Sequence, residues 1–232
     1  MIVQSGEISE KYSSFLLIWR LISFVFLFSA CAFFALTLHY KYNLTISMWV
    51  FYLSAFNSII LLINSIYFRR TSRQVNFLIL TILYKVVVCI SFTTCFIFWA
   101  IFLPYLIIER GGISHEIQNF DIKEFIINGI IMHSLPFLVI FVDLFFINIL
   151  IKIVDFLYTL IFLVSYLIWY FCAIQFLFFD LIYPLLSPEG VEPFIGFLFY
   201  GSASFLLHII ISKISHFIKP KEELNQNPLR KP

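Results

Sequence analysis

Residues 77–103 read FLILTILYKVVVCISFTTCFIFWAIFL, an apolar run that contains a single charged residue, Lys85. A helix needs about 20 apolar residues to cross the hydrocarbon core of a bilayer. Strand-like alternation of polar and apolar residues is absent from this run, which argues against a β-barrel. Runs that meet the same requirement occupy residues 16–38, 44–68, 77–103, 125–151, 156–179 and 194–217. The sequence therefore predicts an all-α fold, a polytopic transmembrane helical bundle with about six spans.

Composition supports a membrane protein whose main partners are lipids. The chain has 232 residues, of which 62% are hydrophobic and 12% are charged. A soluble domain carries roughly 25% charged residues, so a water-covered globule is excluded. No dense basic run suggests nucleic acid, and no motif suggests a cofactor. The four cysteines lie in apolar runs without a CxxC pair, which predicts packing roles and no metal site. The oligomeric state remains open.

The six spans divide the chain into a short segment 1–15, a transmembrane domain 16–217 and a polar tail 218–232. Spans four and five are separated only by residues 152–155, so a five-span or re-entrant arrangement is the alternative there. Cytoplasmic segments of membrane proteins carry an excess of Lys and Arg. With both termini in the cytoplasm, three such residues fall in outer loops, namely Lys41, Arg110 and Lys123. Nine fall in inner segments, which favours this orientation: Lys11, Arg69, Arg70, Arg73, Lys152, Lys219, Lys221, Arg230 and Lys231.

Polar residues inside the spans are the first candidates for function, because hydrocarbon offers them no hydrogen bonds. Ser54 in span two and His133 in span four both lie roughly 12–15 Å below the outer boundary, at about 1.5 Å of rise per residue. A hydroxyl and an imidazole at one level are what a nucleophile–base pair needs. The alternative interpretation is that both residues only pack between helices, as small and polar residues commonly do in membranes.

Two charged residues inside the spans are also predicted to meet. Lys85 and Asp143 each lie eight residues from the inner boundary of their span. Opposite charges inside a membrane usually neutralise one another. We therefore expect a structural ion pair between Lys85 and Asp143.

Four segments together resemble the androgen-induced-protein family, over most of the chain from about residue 42 to 217. They are WVFYLSAFN at 49–57, HSLPFLVIFVD at 133–143, YPL at 183–185 and FLFYGSASFLLH at 197–208. Members of that family are six-span eukaryotic membrane proteins. Those that are enzymes hydrolyse fatty-acid esters of hydroxy fatty acids with an intramembrane threonine and histidine. The threonine position falls on Ser54, where serine keeps the hydroxyl, and the histidine position falls on His133. The spacing from His133 to Pro136 is closer to that of fungal members.

The resemblance implies an intramembrane hydrolase of lipid esters, located in the endoplasmic reticulum membrane. Ser54 and His133 would act as a dyad, because no carboxylate is placed to orient the histidine. Asn57, one helical turn from Ser54, is the candidate oxyanion donor. Two alternatives stay open, a non-catalytic membrane scaffold and a small-solute transporter. Against the transporter, the sequence lacks an inverted repeat and paired broken helices.

Overall fold

A computed structural model describes residues 13–37, 45–71, 78–104, 122–147, 149–177 and 192–218. The predicted terminal segments lie almost entirely outside these residues. The described part of the chain forms six long helices and contains no strand. Helix α1 is Ser13–Thr37, and α2 is Ile46–Thr71. Helix α3 is Leu78–Ile97, and a π-helical turn at Phe98–Phe102 extends it.

Of the remaining three helices, one is interrupted in the middle and one is preceded by a short 3-10 turn. Helix α4 consists of Ile122–Gly129, a π-helical turn at Ile130–Ser134, and Leu135–Phe146. Helix α5 is Phe156–Leu177, preceded by a 3-10 turn at Ile153–Asp155, and α6 is Glu192–Ile218.

All six helices are long and apolar enough to cross a membrane. Large apolar side chains are exposed along them, as a surface that faces lipid requires, and Phe26, Ile63 and Leu206 are each at least 60% exposed. The predicted six-span helical bundle is confirmed, and the protein is a multi-pass membrane protein.

Helix α3 is the centre of the bundle. It packs against α2, α4, α5 and α6, whereas α1 lies on the outside against α2 and α4. Tyr84, Val87, Cys89 and Ile90 of α3 are fully buried. Most of the circumference of α3 therefore meets another helix.

The connection between α4 and α5 is longer than residues 152–155, which the sequence analysis placed between spans four and five. Helix α4 ends at Phe146, five residues before the predicted boundary, and the backbone is extended at Ile147 and Lys152. Ile147, Ile149 and Ile151 are buried, so the connection runs along the bundle as an apolar segment. Backbone that is not helical is tolerated at membrane depth only where protein covers it or water reaches it. Here α6 covers it, through contacts described below.

The two π-helical turns lie side by side and form one contact between α3 and α4. The rings of Phe98 and His133 stack with centroids 4.0 Å apart, and Trp99 Nε1 donates a hydrogen bond to Ser134 Oγ at 2.7 Å. Pro136 lies at the start of the segment Leu135–Phe146, which follows the π-helical turn in α4. Proline has no backbone N–H, so it cannot donate a hydrogen bond to the carbonyl one turn earlier. The missing hydrogen bond explains why the regular α-helical ladder is interrupted at this place.

Gly129 is required by that contact, and Gly201 provides a matched comparison. A Cβ on Gly129 would collide with the Phe98 ring, which is buried and held against His133, whereas a Cβ on Gly201 has open space around it. We predict that Gly129→Ala destabilises the bundle by about 1–3 kcal/mol through overpacking. Gly201→Ala is expected to be neutral or to stabilise by up to about 1 kcal/mol, because alanine favours a helix. Thermal unfolding of both variants in detergent measures the difference, and equal Tm values would contradict the prediction.

Candidate functional site

Ser54 lies inside the bundle, where α2 meets α3. Its side chain is fully buried. The hydroxyl donates a hydrogen bond to the carbonyl of Val50 at 2.7 Å, one turn back on α2. The oxygen also lies 3.3 Å from Ser91 Oγ on α3. The sequence did not predict Ser91, a hydroxyl neighbour of Ser54 on another helix.

His133 lies in the π-helical turn of α4 and is stacked on Phe98 of α3. Its Nδ1 atom is buried and has no hydrogen-bond partner among the described residues. The side chain as a whole remains partly exposed at the surface of the bundle. The imidazole is therefore held in place by ring stacking, while its nitrogen atoms are free of hydrogen bonds to the described helices.

The structure does not join Ser54 and His133 by a hydrogen bond. Both side chains contact α3, but one meets Ser91 and the other meets Phe98. These α3 residues are seven positions apart, which places them on one face of the helix and about 10 Å apart along it. The predicted depths hold only if α2 and α4 begin at the same level in the membrane. The contacts on α3 show that Ser54 and His133 are offset by about two helical turns. The catalytic roles of Ser54 and His133 stay predictions.

Asn57 is fully buried one turn from Ser54. Neither its amide nitrogen nor its amide oxygen has a hydrogen-bond partner among the described residues. A buried polar group without a partner costs about 1–3 kcal/mol. Such groups are uncommon in folded proteins, and each calls for a functional or structural explanation. The predicted role of Asn57 as an oxyanion donor requires a free amide of this kind.

Arg20 is a fully buried arginine two turns into α1, and the sequence patterns did not predict a role for it. Its guanidinium donates hydrogen bonds to Ser65 Oγ and to the carbonyl of Leu61, both on α2. Its Nε atom lies 3.9 Å from Asp143 Oδ1 on α4. The sequence did carry a signal, because Arg20 is the only charged residue in α1.

The predicted ion pair between Lys85 and Asp143 is wrong, because each residue has a different partner. Lys85 Nζ lies 2.8 Å from Asp155 Oδ2 at the start of α5, whereas Asp143 faces Arg20. The prediction counted helical rise up to residue 151, but α4 ends at Phe146 and the chain beyond it is extended. The count also could not reveal which neighbour each side chain faces around its helix.

A group of polar side chains on α6 supports the extended connection between α4 and α5. Ser215 Oγ accepts a hydrogen bond from the backbone N–H of Ile151 at 3.1 Å, and Ser212 Oγ donates to the Ile151 carbonyl at 3.0 Å. His208 Nε2 donates to the carbonyl of Lys152 at 2.9 Å, while Asp155 accepts from the Lys152 N–H at 2.7 Å. These groups are engaged with the backbone, which indicates a structural role for this cluster.

A small cavity lies between α3, α4 and α6, with Val88, Ile140 and Ile211 among its apolar lining residues. Its volume of about 10 Å³ corresponds to one water-sized sphere. Neither Ser54 nor His133 lines it. Within the described residues, no three His, Cys, Asp or Glu side chains come together as a metal site.

The chain matches no protein-family model, no curated protein and no solved structure. The family resemblance therefore rests on the four short segments alone. Evidence for a function comes from the buried polar groups described above.

Double-mutant cycles can test the ion-pair assignment. We predict that Lys85→Met and Asp155→Asn each destabilise the bundle, by up to about 3 kcal/mol, because either change leaves the other charge poorly compensated. The two changes together are expected to cost less than the sum of the single effects. Thermal unfolding in detergent gives the coupling energy.

The matched comparison combines Lys85→Met with Asp143→Asn. These residues have different partners, so we expect their effects to add to within about 0.5 kcal/mol. Strong coupling between positions 85 and 143, with none between 85 and 155, would restore the pairing expected from the sequence.

Proposed function

We propose that the protein is an intramembrane hydrolase of lipid esters in which Ser54 is the nucleophile and His133 the general base. The observation that carries the proposal is the free amide of Asn57. It is fully buried one turn from Ser54, and neither of its polar atoms has a partner in the described structure. An oxyanion hole consists of preorganised hydrogen-bond donors placed where negative charge develops in the transition state.

The chemistry is acyl transfer in two steps. His133 takes the proton of the Ser54 hydroxyl while the Ser54 oxygen attacks the ester carbonyl carbon. Asn57 donates to the oxyanion, and the leaving alcohol receives the proton from His133 as the ester bond breaks. Water, deprotonated by the same imidazole, then attacks the acyl-enzyme and releases the fatty acid and the Ser54 hydroxyl.

The dyad requires a closer approach of His133 and Ser54 than the structure has. Both residues already contact one face of α3, so the change needed is mainly along that helix. The π-helical turn that carries His133 is a place where the register of α4 can change, and π-helical turns are frequent at functional sites. Hydrogen bonds between catalytic groups are often long or unformed before substrate binds.

The substrate would come from the bilayer and not from water. His133 is partly exposed on a bundle whose surface faces lipid. An acyl chain can remain in the surrounding hydrocarbon while only the ester group reaches between α2, α3 and α4. The small cavity near Ile140 therefore does not argue against a lipid substrate, because an enclosed acyl pocket is not needed.

A non-catalytic membrane scaffold is the second candidate, and one observation favours it. The Ser54 hydroxyl already has Val50 and Ser91 as hydrogen-bond neighbours, as a serine that only packs between helices would have. A scaffold does not need an activated serine, so reactivity of Ser54 distinguishes the two candidates.

Labelling with a fluorophosphonate probe tests the hydrolase proposal. We expect the purified protein to be labelled and Ser54→Ala to abolish labelling. His133→Gln is expected to slow labelling by about 10²–10⁴-fold, as loss of a general base does. Asn57→Leu is expected to slow it by about 10²–10³-fold, as loss of an oxyanion donor does. Ser212→Ala, which removes a buried hydroxyl on α6, is the matched control and should label like the parent protein.

The outcomes separate the two candidates. A folded parent protein that is not labelled, or labelling that survives Ser54→Ala, would contradict the proposed nucleophile and favour the scaffold. If labelling depends on Ser54, release of free acid from a fatty-acid ester of a hydroxy fatty acid, measured in detergent, tests the substrate class.

A further inference from the structure

A second set of buried polar groups surrounds Arg20, apart from the residues proposed for catalysis. It consists of Arg20 and Ser23 on α1, Ser58 on α2, Tyr84 on α3 and Asp143 on α4, and we call it the Arg20 cluster. All five side chains are buried. Four helices thus contribute polar groups to one part of the bundle.

The contacts of Arg20 define where this cluster lies. Arg20 donates to Leu61 and Ser65 on α2, so these positions of α1 and α2 are at one level. Consecutive spans run in opposite directions, so Ser23, one turn further along α1, comes to the level of Ser58, one turn back along α2. Tyr84 belongs to one buried cluster with Leu61, whose carbonyl accepts from Arg20, and with Leu144, which follows Asp143.

Three members of the cluster carry polar atoms that no described residue satisfies. The hydroxyl oxygens of Ser23, Ser58 and Tyr84 are buried and have no hydrogen-bond partner in the described part of the chain. Lipid tails cannot provide one. Three hydroxyls in this condition, in the part of the bundle that holds a buried guanidinium and carboxylate, are not explained by packing alone, in contrast to Ser212 and Ser215 on α6, whose hydroxyls bond to backbone.

We propose that the Arg20 cluster is a water-binding site inside the membrane domain. Water fits this site because it can donate to the serine oxygens and accept from the tyrosine hydroxyl at the same time. Buried waters in proteins typically make about three hydrogen bonds to polar groups that would otherwise be unsatisfied. Water also lowers the cost of a charged pair at this depth, which is why intramembrane charges commonly face a hydrated interior.

The site is reached from the end of the bundle at which α1 begins. Arg20 lies seven residues after Ser13, about 10 Å along the helix. Asp143 lies in the last turn of α4, close to the same end. The proposal does not depend on hydrolase activity, since the water is inferred only from the buried polar groups of the cluster.

Single-cysteine labelling tests the proposal in vesicles of phosphatidylcholine. Cys31, Cys89, Cys95 and Cys172 are first replaced by alanine, and Ser23→Cys or Ser58→Cys is then introduced. A charged methanethiosulfonate reagent reacts with ionised thiols, which form where water reaches the sulfur. The matched controls are Ile22→Cys and Phe56→Cys, which are neighbours in sequence whose side chains face lipid.

We expect both cysteines of the cluster to react at least about tenfold faster than both controls, because thiolate is the reactive form. Equal or slower reaction of Ser23→Cys and Ser58→Cys in protein that elutes as a folded species would overturn the proposal. Such a result would show a dry, closely packed cluster.

Tyr84→Phe gives a second test that needs no labelling. If water bonds to the Tyr84 hydroxyl, removing that hydroxyl deletes a hydrogen bond and lowers the Tm measured in detergent. If the hydroxyl is dry and unsatisfied, its removal leaves the Tm unchanged or raises it, because a buried polar group without a partner is lost. A lowered Tm therefore supports the water site, and an unchanged or raised Tm contradicts it.

Discussion

The ion pair between Lys85 and Asp155 ties the central helix to the start of α5, and much of the bundle depends on that attachment. Asp155 also accepts a hydrogen bond from the backbone N–H of Lys152. One carboxylate therefore holds both the start of α5 and the end of the extended segment that precedes it. The extended segment begins directly after α4 ends at Phe146, and Asp143, in the last turn of α4, faces Arg20 on α1. Hydrogen bonds from α6 then satisfy backbone N–H and C=O groups of this connection, which lipid could not do.

The polar groups inside the bundle divide into two kinds. Ser212 and Ser215 bond to the backbone of the α4–α5 connection, so their presence is explained by the fold. Asn57, Ser58 and Tyr84 carry buried polar atoms without partners in the described helices, so the fold alone does not explain them. Buried polar atoms without partners are energetically costly inside a membrane domain. They are therefore better candidates for function than polar residues whose hydrogen bonds are satisfied.

The sequence predicted the number of spans and their type because these depend on local length and hydrophobicity. It could not predict which side chains meet, because that depends on the rotation of each helix and its level relative to its neighbours. Lys85 was expected to pair with Asp143, but its partner in the structure is Asp155. Ser54 and His133 were expected at one level, whereas their contacts on α3 differ by about two turns. Arg20 was visible in the sequence, but its partners on α2 and α4 were not.

Any approach of His133 towards Ser54 is constrained at one end of α4. Asp143 lies beside Arg20, and the following segment is held by α6, so the end of α4 that contains Leu135–Phe146 is anchored on two sides. Any such approach therefore has to change the half before Pro136, where the regular hydrogen-bond ladder is already interrupted. His133 lies in that interruption and is held by Phe98 through stacking, while the neighbouring Ser134 accepts a hydrogen bond from Trp99. An approach of His133 along α3 thus requires the stacking to change and the hydrogen bond between Trp99 and Ser134 to break.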